Sequence, residues 1–91
     1  MNPKAVQMIE SALDPLIRSG CRIERLNLVV CPAAEIAQHQ TVRTRYGQIR
    51  VQPDRYVRKG LSYIIEDPGR KGRGFAWVSG YKAQYTQYAK E

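Results

Sequence analysis

The 91-residue sequence predicts a small α+β fold, with elements in the order α-β-α-β-β-β-α, a mainly antiparallel sheet and helices packed on one face. Three observations carry that expectation. An apolar stripe at helical spacing opens the chain, period-two alternation recurs in short segments from residue 23 onward, and glycine or proline punctuates those segments. The length suits one domain over residues 1–91, and a chain this short buries only roughly 60–65% of its unfolded surface. The core is therefore thin, and a working surface is expected rather than a deep catalytic cleft. Apolar content of 43% and charged content of 25% are those of a globular chain, so composition does not predict disorder.

Asn2 caps the first helix and Pro3 takes its first position. Ala5, Val6, Ile9, Ala12, Leu13, Leu16 and Ile17 make one apolar stripe, and Gly20 fits the position just past the end. Pro15 cannot donate to the carbonyl of Ser11. Either the helix kinks there, or Asp14 caps a second short turn. Residues 23–30 read as a strand, with Leu26, Leu28 and Val30 pointing one way and Asn27 the other. Val29 makes its end apolar on both faces, which suits a central strand. Pro32 opens a short helix over 33–40, with Ile36 and Ala37 as its buried residues.

From there the chain reads as strands. The less polar residues are even-numbered at Val42, Thr44 and Tyr46, and odd-numbered at Ile49 and Val51. The phase changes at Gly47, which predicts a bulge or a tight turn. A bulge would bring Arg43, Arg45 and Arg50 to one solvent face. A turn region over 53–60 carries Arg55, Arg58 and Lys59. Leu61, Tyr63 and Ile65 then alternate with Ser62 and Glu66, as in a half-buried strand. The loop 67–74 holds three glycines and three bases, which predicts an exposed, strongly positive segment. Residues 75–79 form a further strand. Tyr81, Tyr85 and Tyr88 recur at i, i+4, i+7 and predict a closing helix over 81–90 with a tyrosine face.

Charge divides the domain in two. Residues 1–42 hold four bases and four acids, a neutral scaffold half. Residues 43–91 hold eleven bases against four acids, which is the whole net charge of +7, and all eight aromatic residues. Basic residues attract phosphates and aromatic rings stack on unpaired bases. The expected function is therefore a small, non-enzymatic nucleic-acid-binding protein, with single strands or RNA favoured. Arg43, Arg45, Arg50, Arg58, Lys59, Arg70, Lys71 and Arg73 are the candidates for phosphates, and Tyr46, Phe75 and Trp77 for stacking. No helix combines basic residues with the Asn, Gln or Arg pattern of a major-groove reader, Gln84 and Gln87 being a thin exception. The alternative is a protein-interaction module, an accessory or inhibitory subunit docking the same half onto an acidic partner, since Trp, Tyr and Arg also dominate protein hot spots.

Other classes lack their residues. No apolar run approaches the ~20 residues that span a bilayer, and the start lacks the pattern of a signal peptide, so a cytoplasmic protein without membrane attachment is expected. Cys21 and Cys31 bracket a strand whose ends lie roughly 30 Å apart, too far for a disulfide, so both are expected as free, buried thiols. Without a CxxC pair, and with His39 the sole histidine, a zinc site lacks ligands, and no cofactor or metal is expected. No GxSxG elbow, P-loop or paired-carboxylate arrangement is present, so no catalytic residue is assigned.

Two local resemblances accompany this reading. Arg73-Gly74-Phe75-Ala76-Trp77-Val78 resembles the RNP1 element of RNA-recognition motifs, with Trp77 where Phe is usual and Gly80 where an aromatic is usual. The resemblance implies stacking on Phe75 and Trp77 and a phosphate at Arg73. Its partner element would be an earlier aromatic strand, and residues 26–31 contain no aromatic. The run from Ile49 to Glu66, with Tyr56, Arg58 and Tyr63, and then Trp77 to Tyr85, is loosely similar to the C-terminal strands of toxin ribonucleases of the RelE type. That likeness implies RNA cleavage by Arg, Lys and Tyr, sometimes with His.

Overall fold

The computed structural model describes residues 3–67 and 74–78. They form one α-helix, α1 (Pro3–Arg18), and five strands: β1 (Leu26–Val30), β2 (Thr41–Thr44), β3 (Gly47–Pro53), β4 (Ser62–Glu66) and β5 (Phe75–Trp77). The strands make a single mixed sheet in the order β2-β3-β1-β4-β5. β1 runs parallel to β3, and every other neighbouring pair is antiparallel. The domain is thus α+β, but its element order differs from the expected one.

The first helix forms as its sequence dictates. Its apolar stripe buries Ile9, Ala12, Leu13 and Leu16 against the sheet. The chain leaves it through paired bonds, Gly20 N–H to the Ile17 carbonyl and Cys21 N–H to the Leu16 carbonyl. Pro15 lies inside an unbroken α1, neither ending it nor opening a second turn. The carbonyl it leaves without a helical partner belongs to Ser11, an exposed residue, so water can satisfy it. Asn2, the expected cap, lies outside the described residues.

Two expectations are corrected. Residues 33–40 do not form an α-helix: only a short 3-10 turn, Glu35–Gln38, appears there. Ile36 is the one large apolar residue in the stretch, so there is no stripe to stabilise successive turns, and isolated short helices are marginal. Ile36 and Ala37 are half-buried against the core. Likewise residues 23–25 are a 3-10 turn that precedes the strand. The phase change at Gly47 proves to be a tight turn, which divides one expected strand into β2 and β3. Gly47 has φ +122°, a region that side-chain-bearing residues rarely adopt. Thr44 seals the turn, its hydroxyl donating to the Gly47 carbonyl at 2.7 Å and accepting the Tyr46 N–H at 3.1 Å.

The sheet has two differently built faces. Toward α1, a cross-strand row of Val51, Leu28, Ile64 and Ala76 continues the core that includes Val42 and Ile49. The inward residue of β4 is therefore Ile64, whereas Tyr63 and Ile65 point to the opposite face. The same alternation buries Ala76 and turns Phe75 and Trp77 away from the helix. The aromatic residues of β5 thus lie on the second face of the sheet, outside the main core.

β4 and β5 are joined at their base by Glu66 N–H donating to the Gly74 carbonyl and Gly74 N–H donating to the Glu66 carboxylate. Gly74 passes so close to α1 that a Cβ there would sit 2.7 Å from Cys21 Sγ and 3.1 Å from Leu16 Cδ2. Gly74→Ala is therefore expected to cost about 1–3 kcal/mol by overpacking. Chemical denaturation checks this, and Cys21→Ala in the same chain should recover much of the loss by removing the nearer clash. Cys31 is buried and Cys21 half-buried, and the two are not bonded to each other. Among the described residues no helix is long and apolar enough to cross a membrane.

Candidate nucleic-acid interface

The second face of the sheet, opposite α1, carries two cross-strand rows. One runs Thr41, Arg50, Asn27, Ile65, Phe75, and the next runs Gln52, Val29, Tyr63, Trp77. Successive rows on one face stand two residues apart, about 6.6 Å along the strands. The β2–β3 side is polar and basic, while the β4–β5 side is aromatic.

The aromatic side is a single cluster. Tyr63 and Phe75 stack with ring centroids 5.2 Å apart. Trp77 meets Tyr63 edge-on at 5.7 Å and Phe75 edge-on at 5.5 Å. All three residues are half-buried. Mutual packing of this kind contributes about 0.5–1.5 kcal/mol per pair beyond area burial, so each ring is held in place by the other two. Val29, 3% exposed, lies at the foot of the cluster between Gln52 and Tyr63.

Polar contacts fix the other side. Asp67, just beyond β4, accepts a bond from the Asn27 amide at 2.6 Å and another from Arg50 Nη2 at 2.8 Å. These two donors, Asn27 first, hold the Asp67 carboxyl below the ordinary carboxylate value. Arg25 donates to the Asp67 backbone carbonyl at 3.1 Å and lies 3.8 Å from the Glu66 carboxylate. Arg50, expected as a phosphate ligand, is thus engaged by Asp67.

Because the folded pKa of Asp67 is depressed, its contribution to stability is present above the unfolded carboxylate value and lost as pH falls below about 4. Asp67→Asn is expected to flatten this acid loss in thermal melts at pH 3 and pH 6. The same substitution releases Arg50 and removes a negative charge from the face. If this face holds a single-stranded oligonucleotide, the substitution should tighten that binding roughly two- to fivefold, the scale of an exposed ion pair.

The other sequence candidates divide by location. Arg43 is exposed and, on β2, shares this face with Arg50. Arg45 does not join them, because a turn rather than a bulge occupies the hairpin end. Its N–H donates to Glu10 Oε2 at 2.8 Å, and its guanidinium lies 5.2 Å over the Tyr46 ring. Tyr46 packs against the core, and its hydroxyl donates to Asp14 at 2.8 Å. Arg18 also donates to Asp14, and with Tyr46 it lowers that carboxyl's pKa. Tyr46 is thus a clamp between hairpin and helix. Arg58 and Lys59 are exposed on the β3–β4 loop, and neither has an ion-pair partner among the described residues. Arg70, Lys71 and Arg73, and the expected helix over 81–90, lie outside the described residues.

Sequence reasoning missed Tyr63. The aromatic strand sought as partner for Phe75 and Trp77 follows residues 26–31 in the chain instead of coinciding with them: it is β4, directly paired with β5. Only strand pairing reveals it, since Tyr63 read alone is one apolar position of a half-buried strand. Compared with protein families, curated proteins and solved structures, the chain has no significant match in any of the three.

Proposed function

We propose that this protein binds single-stranded nucleic acid, RNA in particular, across the sheet face opposite α1, without catalysing a reaction. The observation that carries the reading is the cluster of Tyr63, Phe75 and Trp77 on the same face as Arg43, Arg50 and Asn27. Unpaired bases have π-faces that stack on such rings, and the basic side offers a path for phosphates. The net charge of +7 supplies a long-range attraction for a polyanion. The loop 54–60 beside the cluster carries Arg58 and Lys59, and the sequence adds Arg70, Lys71 and Arg73, which lie outside the described residues. The likeness to an RNP1 element is local: Phe75 and Trp77 share a face as that element requires, while five strands in the order β2-β3-β1-β4-β5 are not a four-stranded RNA-recognition sheet.

The test is fluorescence anisotropy of labelled single-stranded RNA, single-stranded DNA and duplex DNA at ~50 and ~200 mM salt. Micromolar or tighter binding of one single-stranded form, weakening steeply with salt, is the expected result. Ile65 beside the rings and the engagement of Arg50 by Asp67 favour a second reading, a docking face for a protein partner. Absent or equally weak binding of all three probes would select it.

A further inference from the structure

Tyr56 is 81% exposed, the most of any large apolar side chain among the described residues, with Leu61 next at 47%. A lone exposed tyrosine is ordinary on a protein surface. This one is held in a specific setting. The Arg55 guanidinium sits 5.3 Å from its ring centroid, and Arg55 Nη2 donates to its hydroxyl at 3.4 Å. The Tyr56 N–H donates to Asp54 Oδ1 at 2.9 Å and the Val57 N–H to the Asp54 carbonyl at 3.0 Å. Asp54 in turn donates its N–H to the carbonyl of Val30, the last residue of β1. The loop is thereby anchored to the central strand instead of extending freely from the sheet.

Its place in the fold matters as much. The loop joins the end of β3 to the start of β4, so it crosses the end of the sheet nearest the row that holds Tyr63 and Trp77. Arg55, Arg58 and Lys59 give it three positive charges, and the carboxylate of its one acid, Asp54, accepts the Tyr56 N–H. An aromatic ring with a guanidinium against it, on a loop that also carries Arg58 and Lys59 and that borders the row of Tyr63, has the composition of a base-stacking position with its phosphate contacts.

We propose that the Arg55–Tyr56 pair is a separate subsite for one unpaired base, extending the path of a bound single strand from the Tyr63 end of the cluster over the end of the sheet. This rests on the nucleic-acid reading of the sheet face and adds to it a length requirement. A short oligonucleotide that fills the face gains nothing from Tyr56, and a longer one does.

The experiment is anisotropy with labelled oligouridine of about 4 and about 12 nucleotides, sizes that bracket a small binding site. It compares the wild type with Tyr56→Ala, Tyr56→Trp and Trp77→Ala. Tyr56→Ala is expected to weaken binding of the long oligomer roughly 5- to 100-fold and leave the short one unchanged, while Tyr56→Trp retains both affinities. The exposure of Tyr56 predicts an unaltered melting temperature for both Tyr56 variants, which excludes a folding effect. Long-oligomer affinity unchanged in Tyr56→Ala, with a loss in Trp77→Ala, would overturn the subsite and leave the sheet-face reading standing. An equal loss for both lengths would also overturn it, because Tyr56 would then act within the face. Failure of the wild type to bind either length at low salt would remove the sheet-face reading, and the subsite with it.

Discussion

Ile64→Ala is expected to destabilise the domain by about 2–5 kcal/mol, because it removes a fully buried branched side chain from the middle of the sheet. Ile64 stands in the row Val51, Leu28, Ile64, Ala76, between the central strand and β5. A domain of this length has roughly 5–14 kcal/mol of stability in total, so the loss is a large share of it. A fall in melting temperature of about 10 °C or more is the corresponding observation. The neighbouring substitution Ile65→Ala is the control. Ile65 is half-buried on the opposite face, and its truncation should cost less than about 1.5 kcal/mol. A larger loss at 65 than at 64 would mean that the inward and outward residues of β4 are exchanged.

That pair of substitutions also marks where the sequence was readable and where it was not. The first helix was legible because two independent signals agreed: a stripe of seven apolar residues and a glycine placed to end it. Gly47 was legible as a change of phase, although only the folded chain distinguishes a turn from a bulge. β1 was legible as central because Val29 is apolar where an edge strand would be polar. β4 reads with its faces exchanged: alternation points to Leu61, Tyr63 and Ile65 as the core side, but Tyr63, Ile64 and Ile65 are consecutive apolar residues, and it is Ile64 that is buried while Leu61 is exposed. The answer comes from pairing: Ile64 is opposite Leu28 and Ala76, and both of those face α1. The helix expected over 33–40 failed because one large apolar residue, Ile36, and a starting proline are a weak signal, and only one 3-10 turn packs against the core there.

The candidate site was legible in composition and not in geometry. Concentration of bases and rings after residue 42 pointed to this half of the chain. Which rings act together depended on strand order, because Tyr63 and Trp77 are neighbours only through the β4–β5 hairpin. Tyr46 carries the same side chain as Tyr63 but is committed to Asp14 on the helix, a contact between residues 32 positions apart that no local pattern encodes. Arg50 was legible as a base, while its engagement by Asp67 depends on a chain reversal 17 residues long.

Trp77→Ala is expected to weaken single-stranded RNA binding by about 1–3 kcal/mol, roughly 5- to 150-fold, the value of one base–ring stack. Its effect on folding should be smaller than that of Ile64→Ala. Trp77 is half-buried and near the end of a short strand, and its removal takes away two edge-on ring contacts of about 0.5–1.5 kcal/mol each. Part of that loss is recovered because Tyr63 and Phe75 still stack on each other. The measurement is therefore a pair, a denaturation curve and an anisotropy titration on the same preparation, made under conditions where the variant remains folded. Substitution by phenylalanine refines it: Trp77→Phe keeps a π-face on the same strand position, so it should restore most of the affinity whether or not it restores the packing. If Trp77→Ala and Trp77→Phe lose stability in proportion to volume while binding stays constant, the cluster is a second, minor core and takes no part in recognition. If binding falls with loss of the ring and returns with any aromatic replacement, the second face of the sheet is the surface on which bases stack.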